Sequence, residues 1–287
     1  MKLSIIQSLW IGNPLSNLEK LCVQSFLDHG HEFHLYVYDE IDGIPSGATV
    51  KNANEIISSI EVFQFNNSYT QFSDLFRYEM LYKVGGFWVD MDTACIKPFA
   101  FADEIVIQTH PNFLSRFINT TIGFPAGHEA MQKLLTQCRN NEMPKHYFEF
   151  LRLFSQMVVE HKLERYAQPP LCFSSPVDPF LDYYPDGIDL PIVTHAVHIS
   201  NSSIAKARYG KNDIFHPDSL FERLKKKHGI ANMSDARVYT PQMIVSAHAE
   251  RKNSRKKKLK RTRNAAAIAV LLSFAAGFFL SALITRF

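Results

Sequence analysis

The chain has 287 residues, of which 46% are hydrophobic and 21% are charged, and these proportions are ordinary for a globular protein. Its net charge of +3 hides an asymmetry, because ten of the 31 basic residues and none of the 28 acidic residues follow Glu250. Residues 1–250 therefore hold 21 basic and 28 acidic side chains, a net charge of −7. This acidic body argues against nucleic acid as the main partner.

The opening of the chain predicts a strand, a helix and a second strand. They lie at Leu3–Ile11, from Pro14 or Ser16 to about Asp28, and at Glu32–Tyr38. This order favours a parallel sheet with a crossover helix. Ligands of such sheets bind at the carboxyl ends of the strands, where Trp10 and Asp39 lie.

A central stretch predicts a buried helix at Phe72–Val84, where apolar residues recur with helical spacing. Asp74 and Arg77 are three residues apart and so share one face of that helix. Gly85-Gly86 is expected to end the helix, because glycine readily adopts the left-handed backbone of a helix terminus.

The next segment, Phe87–Asp92, predicts a short buried strand on which Trp88, Asp90 and Asp92 point to one side. Two ionised carboxylates so close repel each other unless a cation neutralises them. Oxygen ligands suit Mg²⁺ or Mn²⁺, and such an ion favours departure of a diphosphate. The alternative is a surface turn after a strand, where aspartate is common.

The residues from Asp74 to Asp92 follow the pattern D-L-x-R-Y-x-x-L-x-x-x-G-G-x-x-x-D-x-D. This pattern resembles the signature of the DXD-containing sugar-binding glycosyltransferases, the family of yeast Golgi mannosyltransferases and bacterial capsule enzymes, with clostridial glucosylating toxins as distant relatives. The matching positions are Asp74, Leu75, Arg77, Tyr78, Leu81, Gly85, Gly86, Asp90 and Asp92.

The resemblance implies an α/β fold of the GT-A nucleotide-sugar-binding type with a mostly parallel central sheet. It also implies Mn²⁺ or Mg²⁺, a UDP- or GDP-sugar donor, and transfer of a hexose-type sugar with retention at the sugar carbon. By the same resemblance, Asp90 and Asp92 are the catalytic residues that hold the metal and the donor, while Asp74 and Arg77 bind the donor sugar.

Four further residues are candidates through the same resemblance. Trp10 would stack on the nucleotide base or be a core residue, and Asn119 would reach the donor site or be a polar residue at a strand edge. In the strand at 196–200, His198 is the candidate third metal ligand or phosphate donor, with a structural role as the alternative. Lys206 would help to neutralise phosphate.

The remaining predicted elements are strands at Glu104–Thr109 and Phe117–Phe124, helices at Gly127–Asn140, Tyr147–Glu164 and Ser219–His228, and an irregular proline-rich segment at Gln168–Tyr184. Loops of this kind often carry specificity, so acceptor choice is expected in the proline-rich segment.

The C-terminal segment Ala265–Thr285 contains no charged residue, and its 21 residues as a helix span roughly 31 Å, the thickness of a bilayer core. Nine of the thirteen residues at 251–263 are basic. We therefore predict a catalytic domain at 1–250, a polybasic linker at 251–264 that attracts anionic lipid, and a C-terminal transmembrane helix at 265–285. The start of the chain shows no signal peptide, so a single-pass, tail-anchored protein with a cytoplasmic catalytic domain is expected.

The leading hypothesis is a glycosyltransferase that acts at the membrane surface on a saccharide or lipid-linked acceptor, in polysaccharide or glycolipid biosynthesis. One alternative is a phosphatase of the haloacid dehalogenase kind, whose motif wants threonine or valine where this chain has Ala94. Another is a non-catalytic tail-anchored adaptor derived from a transferase, which would lack metal-dependent nucleotide-sugar binding.

Overall fold

The computed structural model describes residues 3–109, 117–140, 147–247, 249–250 and 253. The chain divides into two compact units after Val238. In the second unit, the described residues 241–247 are helical. The first unit holds the sheet and the candidate site.

The first unit alternates strands with helices, as an α/β fold does. Its described strands are β1 (Ile6–Trp10), β2 (Phe33–Val37), β3 (Thr49–Asn52), β4 (Gly86–Val89), β5 (Thr93–Cys95), β6 (Val106–Thr109), β7 (Phe117–Phe124), β8 (Ala167–Gln168) and β9 (Ala196–His198). Its described α-helices are α1 (Asn17–Asp28), α2 (Thr70–Val84), α3 (Glu129–Asn140), α4 (Tyr147–Glu160), α5 (Asn201–Ala207) and α6 (Leu220–Lys227). Short 3₁₀ turns lie at Ala53–Glu55, Ser59–Glu61, Glu164–Tyr166 and Pro170–Cys172.

The central sheet has seven strands in the order β3-β2-β1-β4-β7-β6-β8. The pairs β1–β2, β2–β3, β1–β4 and β6–β8 are parallel, whereas β7 runs antiparallel to both of its neighbours. The mostly parallel sheet predicted from the sequence is therefore confirmed. A separate antiparallel ribbon joins β5 to β9 and pairs Thr93 with His198.

Two apolar cores cover the two faces of the sheet. On one face, α1 contributes Phe26, which packs with strand residues such as Phe33 and Phe87. On the other, the helices α2, α3 and α4 bury a larger cluster that includes Phe76 and Trp88. The alternation of Phe87 and Trp88 between these cores follows from the two-residue period of a strand.

The start of α1 shows why this segment is a helix. Ser16 is its N-cap, and Glu19 three residues later completes a capping box by accepting a hydrogen bond from the backbone N–H of Ser16. This reciprocal pair satisfies backbone groups that a helix terminus leaves open. The helix ends at Asp28, as predicted.

The predicted elements agree with the structure in type, and the differences lie at their ends. The buried helix begins two residues earlier than predicted, at Thr70. The strand predicted at Phe87–Asp92 ends at Val89, because the backbone turns there and the N–H of Thr93 donates to the carbonyl oxygen of Asp90 at 2.9 Å. Strands β3, β5 and β8 and helix α5 were not predicted.

One part of the fold prediction is corrected: the described residues form the α/β domain, and they give no support to the predicted C-terminal transmembrane helix. Among the described residues, no helix is long and apolar enough to cross a membrane. The longest described helix, α2, has 15 residues and so spans about 22 Å, less than the roughly 30 Å of a bilayer core. The predicted span Ala265–Thr285 lies outside the described residues, as does the polybasic segment at 251–264 except for Asn253.

Candidate active site

Two carboxylates lie where β4 ends, at the carboxyl edge of the parallel strands. The N–H of Asp90 donates to the carbonyl oxygen of Thr120 at 2.9 Å, which attaches the end of β4 to β7. The chain then turns through Met91 into β5, and the N–H of Ile199 donates to the carbonyl oxygen of Asp92 at 2.8 Å. Each carboxylate is thus positioned by a different sheet.

Asp90 is held through one of its two oxygens. Its Oδ1 accepts a hydrogen bond of 2.9 Å from Nε1 of Trp88 and lies 3.0 Å from Nη2 of Arg77. The Asp90 side chain is 24% exposed, whereas that of Arg77 is 3% exposed. The contacts on Oδ1 therefore fix the carboxylate from the protein side.

Asp92 is held by the strand and helix that follow in β9 and α5. Its Oδ2 accepts a hydrogen bond of 2.6 Å from the backbone N–H of Asn201, and its Oδ1 lies 3.1 Å from Nε2 of His198. Ligand atoms of Asp90, Asp92 and His198 all lie within 4.8 Å of one another. The structure therefore brings together the three residues that were predicted as metal ligands.

This cluster fits a divalent cation. Oδ1 of Asp92 is buried and has no hydrogen bond of good geometry within the described part of the chain, although His198 is an ion-pair distance away. A buried carboxylate oxygen without a hydrogen bond is energetically costly unless a ligand binds to it. Two carboxylates and one imidazole are a donor set that Mn²⁺ accepts and that Mg²⁺ accepts with more reluctance at the nitrogen.

A second, buried group of polar side chains lies behind the carboxylates. Nη2 of Arg77 is 3.2 Å from Oδ1 of Asp74, and Nη1 of Arg77 donates to the carbonyl oxygen of Asn119 at 2.6 Å. The amide of Asn119 donates to Oδ1 of Asp74 at 2.9 Å and to the Tyr78 hydroxyl at 2.6 Å. Arg77 therefore connects Asp74 to Asp90.

The position of Asn119 depends on an irregularity in the sheet. Ile107 of β6 pairs with Ile122 of β7, but the next residue, Gln108, pairs with Ile118. Residues 119–121 of β7 therefore have no partner on β6. Bulges of this kind redirect side chains and are frequent beside active sites. Here the shift places Asn119 against α2.

The pKa values of Asp74, Asp90, Asp92 and His198 are all shifted from their ordinary values. Burial raises the pKa of Asp74 to about 7, against the opposing charge of Arg77. Burial and the charge of Asp92 raise the pKa of Asp90. Burial also disfavours the charged forms of Asp92 and His198, but their attraction outweighs it, so the pKa of Asp92 is lowered and that of His198 is raised.

The two remaining donor-site candidates are not members of this cluster. Trp10, the last residue of β1, is half-buried, and its indole ring lies 4.8 Å from Nζ of Lys211. Lys206 is exposed on α5. The structure thus brings Lys211, rather than Lys206, to the end of β1.

Several residues of the site were not predicted from the sequence. Trp88 donates a hydrogen bond to Asp90, and Asn201 donates one to Asp92. Tyr78 belongs to the buried group, where its hydroxyl accepts a hydrogen bond from Asn119. Glu19 pairs with Lys211 at 2.6 Å. The S-x-x-E capping pattern from Ser16 could have drawn attention to Glu19, but no local pattern indicates Lys211.

The chain resembles known proteins both in a sequence family and among solved structures. Residues 16–114 match the family described as the glycosyltransferase sugar-binding region containing DXD motif. No curated protein matches the chain significantly. The solved structure of PaToxG glycosyltransferase is 18% identical, with 57% of this chain and 72% of that chain covered and a TM-score of 0.44. A transferase mutant in which two cysteines are replaced by serine is 12% identical, with 56% and 85% covered and a TM-score of 0.33.

The family match covers about a third of the chain and includes the sequence Asp90-Met91-Asp92. It also includes Asp74 and Arg77, the two charged residues of the buried group. Residues 16–114 are thus similar to the glycosyltransferase sugar-binding region that contains the DXD motif.

Proposed function

We propose that this protein is a metal-dependent glycosyltransferase that transfers a hexose-type sugar from a UDP- or GDP-sugar to a saccharide or lipid-linked acceptor. The observation that carries the proposal is the convergence of Asp90, Asp92 and His198 within 4.8 Å at the carboxyl edge of the sheet. Ligands of α/β sheets bind at that edge.

In this proposal, Asp90, Asp92 and His198 hold Mn²⁺ or Mg²⁺. The ion, when bound, takes up the negative charge that develops on the departing diphosphate. Trp88 and Arg77 hold Oδ1 of Asp90, so its other oxygen is the one that would bind the ion. Asn201 fixes Asp92 in the same way through Oδ2. The ligand set is therefore largely preorganised, which favours catalysis.

We further propose transfer with retention. The bond between the sugar carbon and the diphosphate oxygen breaks, and the acceptor oxygen bonds to that carbon from the same face. The acceptor proton passes to the departing phosphate oxygen. This route is supported by the family resemblance and needs no enzyme nucleophile.

The test is release of nucleotide from a panel of UDP- and GDP-sugars by the 287-residue chain with Mn²⁺. We expect slow hydrolysis of one donor, reduced at least about a hundredfold in Asp92→Asn, because the neutral amide removes a charge from the metal site. Asp103→Asn, at an exposed aspartate, is the matched control and should keep full activity. If the chain neither binds nor hydrolyses any donor, the adaptor alternative is favoured. Full activity of Asp92→Asn would exclude a metal-binding role for Asp92.

A further inference from the structure

Lys211, in the loop that follows α5, contacts two residues at the beginning of the fold. Its Nζ lies 2.6 Å from Oε1 of Glu19 and 4.8 Å from the centroid of the Trp10 ring. The Glu19 side chain is fully buried, while that of Lys211 is 32% exposed. A buried carboxylate needs a compensating charge, so Glu19 holds the ammonium group at the end of β1.

The loop that carries Lys211 is fastened on both sides of it. Oδ2 of Asp213 accepts hydrogen bonds of 2.6 Å from the N–H of Gly210 and from Nη2 of Arg237. The side-chain oxygen of Asn212 accepts a hydrogen bond of 2.8 Å from the N–H of Asn17, in the first turn of α1. The position of Lys211 is therefore set by the folded loop, and little side-chain entropy remains to be lost when it binds a ligand.

The Glu19–Lys211 pair is close to the candidate metal site. Glu19 and Cys22 are three residues apart on α1, roughly 4.5 Å along the helix axis, and Sγ of Cys22 lies 3.6 Å from the carbonyl oxygen of Asp90. A nucleotide whose base lies against Trp10 and whose diphosphate lies at Asp90 would thus have the Lys211 ammonium within reach.

Trp10 supplies an independent sign that a ligand binds beside Lys211. Its indole Nε1 is buried and has no hydrogen-bond partner among the described residues. A buried donor without an acceptor is costly, because it has lost its hydrogen bonds to water without replacing them. A ligand with acceptor oxygens would satisfy this N–H and, at the same place, pair with the ammonium of Lys211.

We propose that Lys211 is a donor-binding residue that contacts the diphosphate of the nucleotide sugar, and that Glu19 is the counter-ion with which the phosphate competes. This inference rests on the proposed function and names the residue that links the base position to the metal site. Lys206, the phosphate-binding candidate from the sequence, is exposed on α5 and takes no part in it.

The experiment measures binding of UDP and GDP with Mn²⁺, and of uridine and guanosine, by calorimetry on the 287-residue chain. Lys211→Met removes the charge and keeps the length of the side chain. It is expected to weaken binding of the preferred nucleoside diphosphate about ten- to a hundredfold, as loss of one charged hydrogen bond does, and to change nucleoside binding less than about twofold. Lys133→Met, at an exposed lysine on α3, should leave both unchanged.

A second variant, Glu19→Gln, can keep the capping box and removes the competing charge. It should tighten diphosphate binding, and circular dichroism verifies that each variant is folded. Equal loss of diphosphate and nucleoside binding in Lys211→Met would mean that Lys211 only supports Trp10. Undiminished diphosphate binding in this variant would exclude a contact between Lys211 and the diphosphate. Either result overturns the inference and leaves the proposed function standing. Failure of the wild-type chain to bind UDP or GDP would overturn both.

Discussion

At the scale of single residues, the structure shows a contact of Arg77 that the sequence does not indicate, namely its ion pair with Asp90. The family resemblance assigns Asp74 and Arg77 to the donor sugar, and that role stays a prediction. In the structure Asp74 is fully buried, and Arg77 spans from it to Oδ1 of Asp90. Because a guanidinium has several donors in a rigid plane, it can pair with both carboxylates at once, which lysine cannot do in the same geometry. Arg77 is thus a positioning residue for Asp90.

The charge of His198 leads to a prediction about pH. Burial disfavours its imidazolium, but Asp92 and Asp90 outweigh burial and raise the pKa of His198 above the usual value of about 6.5. A protonated imidazole cannot ligate a metal, so Mn²⁺ affinity should rise as pH increases through this raised pKa. We expect calorimetric titrations between about pH 6 and pH 8 to show this rise.

His198→Asn is the comparison for that prediction, since an amide does not titrate. Its Mn²⁺ affinity should be lower and nearly constant across the same pH range. The same pH dependence in wild type and variant would show that His198 is not the group responsible.

At the scale of elements, the joint between α2 and β4 determines where Asp90 emerges. Gly85 has φ 71° and ψ −166°, a backbone conformation that is essentially restricted to glycine. A Cβ atom there would lie 2.5 Å from the backbone nitrogen of Ala126. The close approach of this segment to the chain after β7 therefore requires glycine for two separate reasons.

Gly85→Ala is accordingly expected to lower the free energy of unfolding by on the order of 3 kcal/mol. Gly127→Ala is the matched control, because Gly127 also has φ 71° but a Cβ there would meet nothing within 4 Å. The control should cost only about 1–2 kcal/mol, the penalty of the left-handed backbone. Chemical denaturation of both variants measures the difference, and equal costs would contradict a steric role for the Ala126 contact.

At the scale of the whole molecule, the sheet is covered on both faces, so polar groups between the sheet and its covering helices are shielded from water. Asp74 is a buried residue of α2 that contacts Asn119 of β7, and burial raises its pKa to about 7. The folded state therefore retains a proton on Asp74 over a range in which the unfolded state, with a pKa near 3.8, has lost it. By linkage, this group makes the fold less stable as pH rises from about 4 to about 7.

Asp74→Asn tests this at the level of global unfolding. Relative to the variant, the wild-type free energy of unfolding should fall by on the order of 3 kcal/mol between about pH 4 and pH 7. Asp103→Asn, at an exposed site, should follow the wild type. A constant difference between wild type and Asp74→Asn across this range would show that Asp74 is ionised in the folded protein throughout.

The sequence by itself determined the features that depend on neighbours along the chain. Helical and strand periodicities predicted α1, α2, β1 and β2, and the pattern from Asp74 to Asp92 indicated the family whose model matches residues 16–114. These signals are local, because hydrophobic spacing, caps and glycine act over a few residues. The end of β4 at Val89 escaped prediction, since alternation of side chains continues into the turn.

Only the tertiary structure decided what depends on residues far apart in the chain. His198 reaches Asp92 through the β5–β9 ribbon, and the bulge in β7 aims Asn119 at α2. Lys211 meets Glu19 across 192 positions. Contacts of this kind are set by how sheets and loops pack, and packing leaves no periodic mark in a single sequence. The residue types therefore indicated the chemistry of the site, and the fold determined which side chains contact one another there.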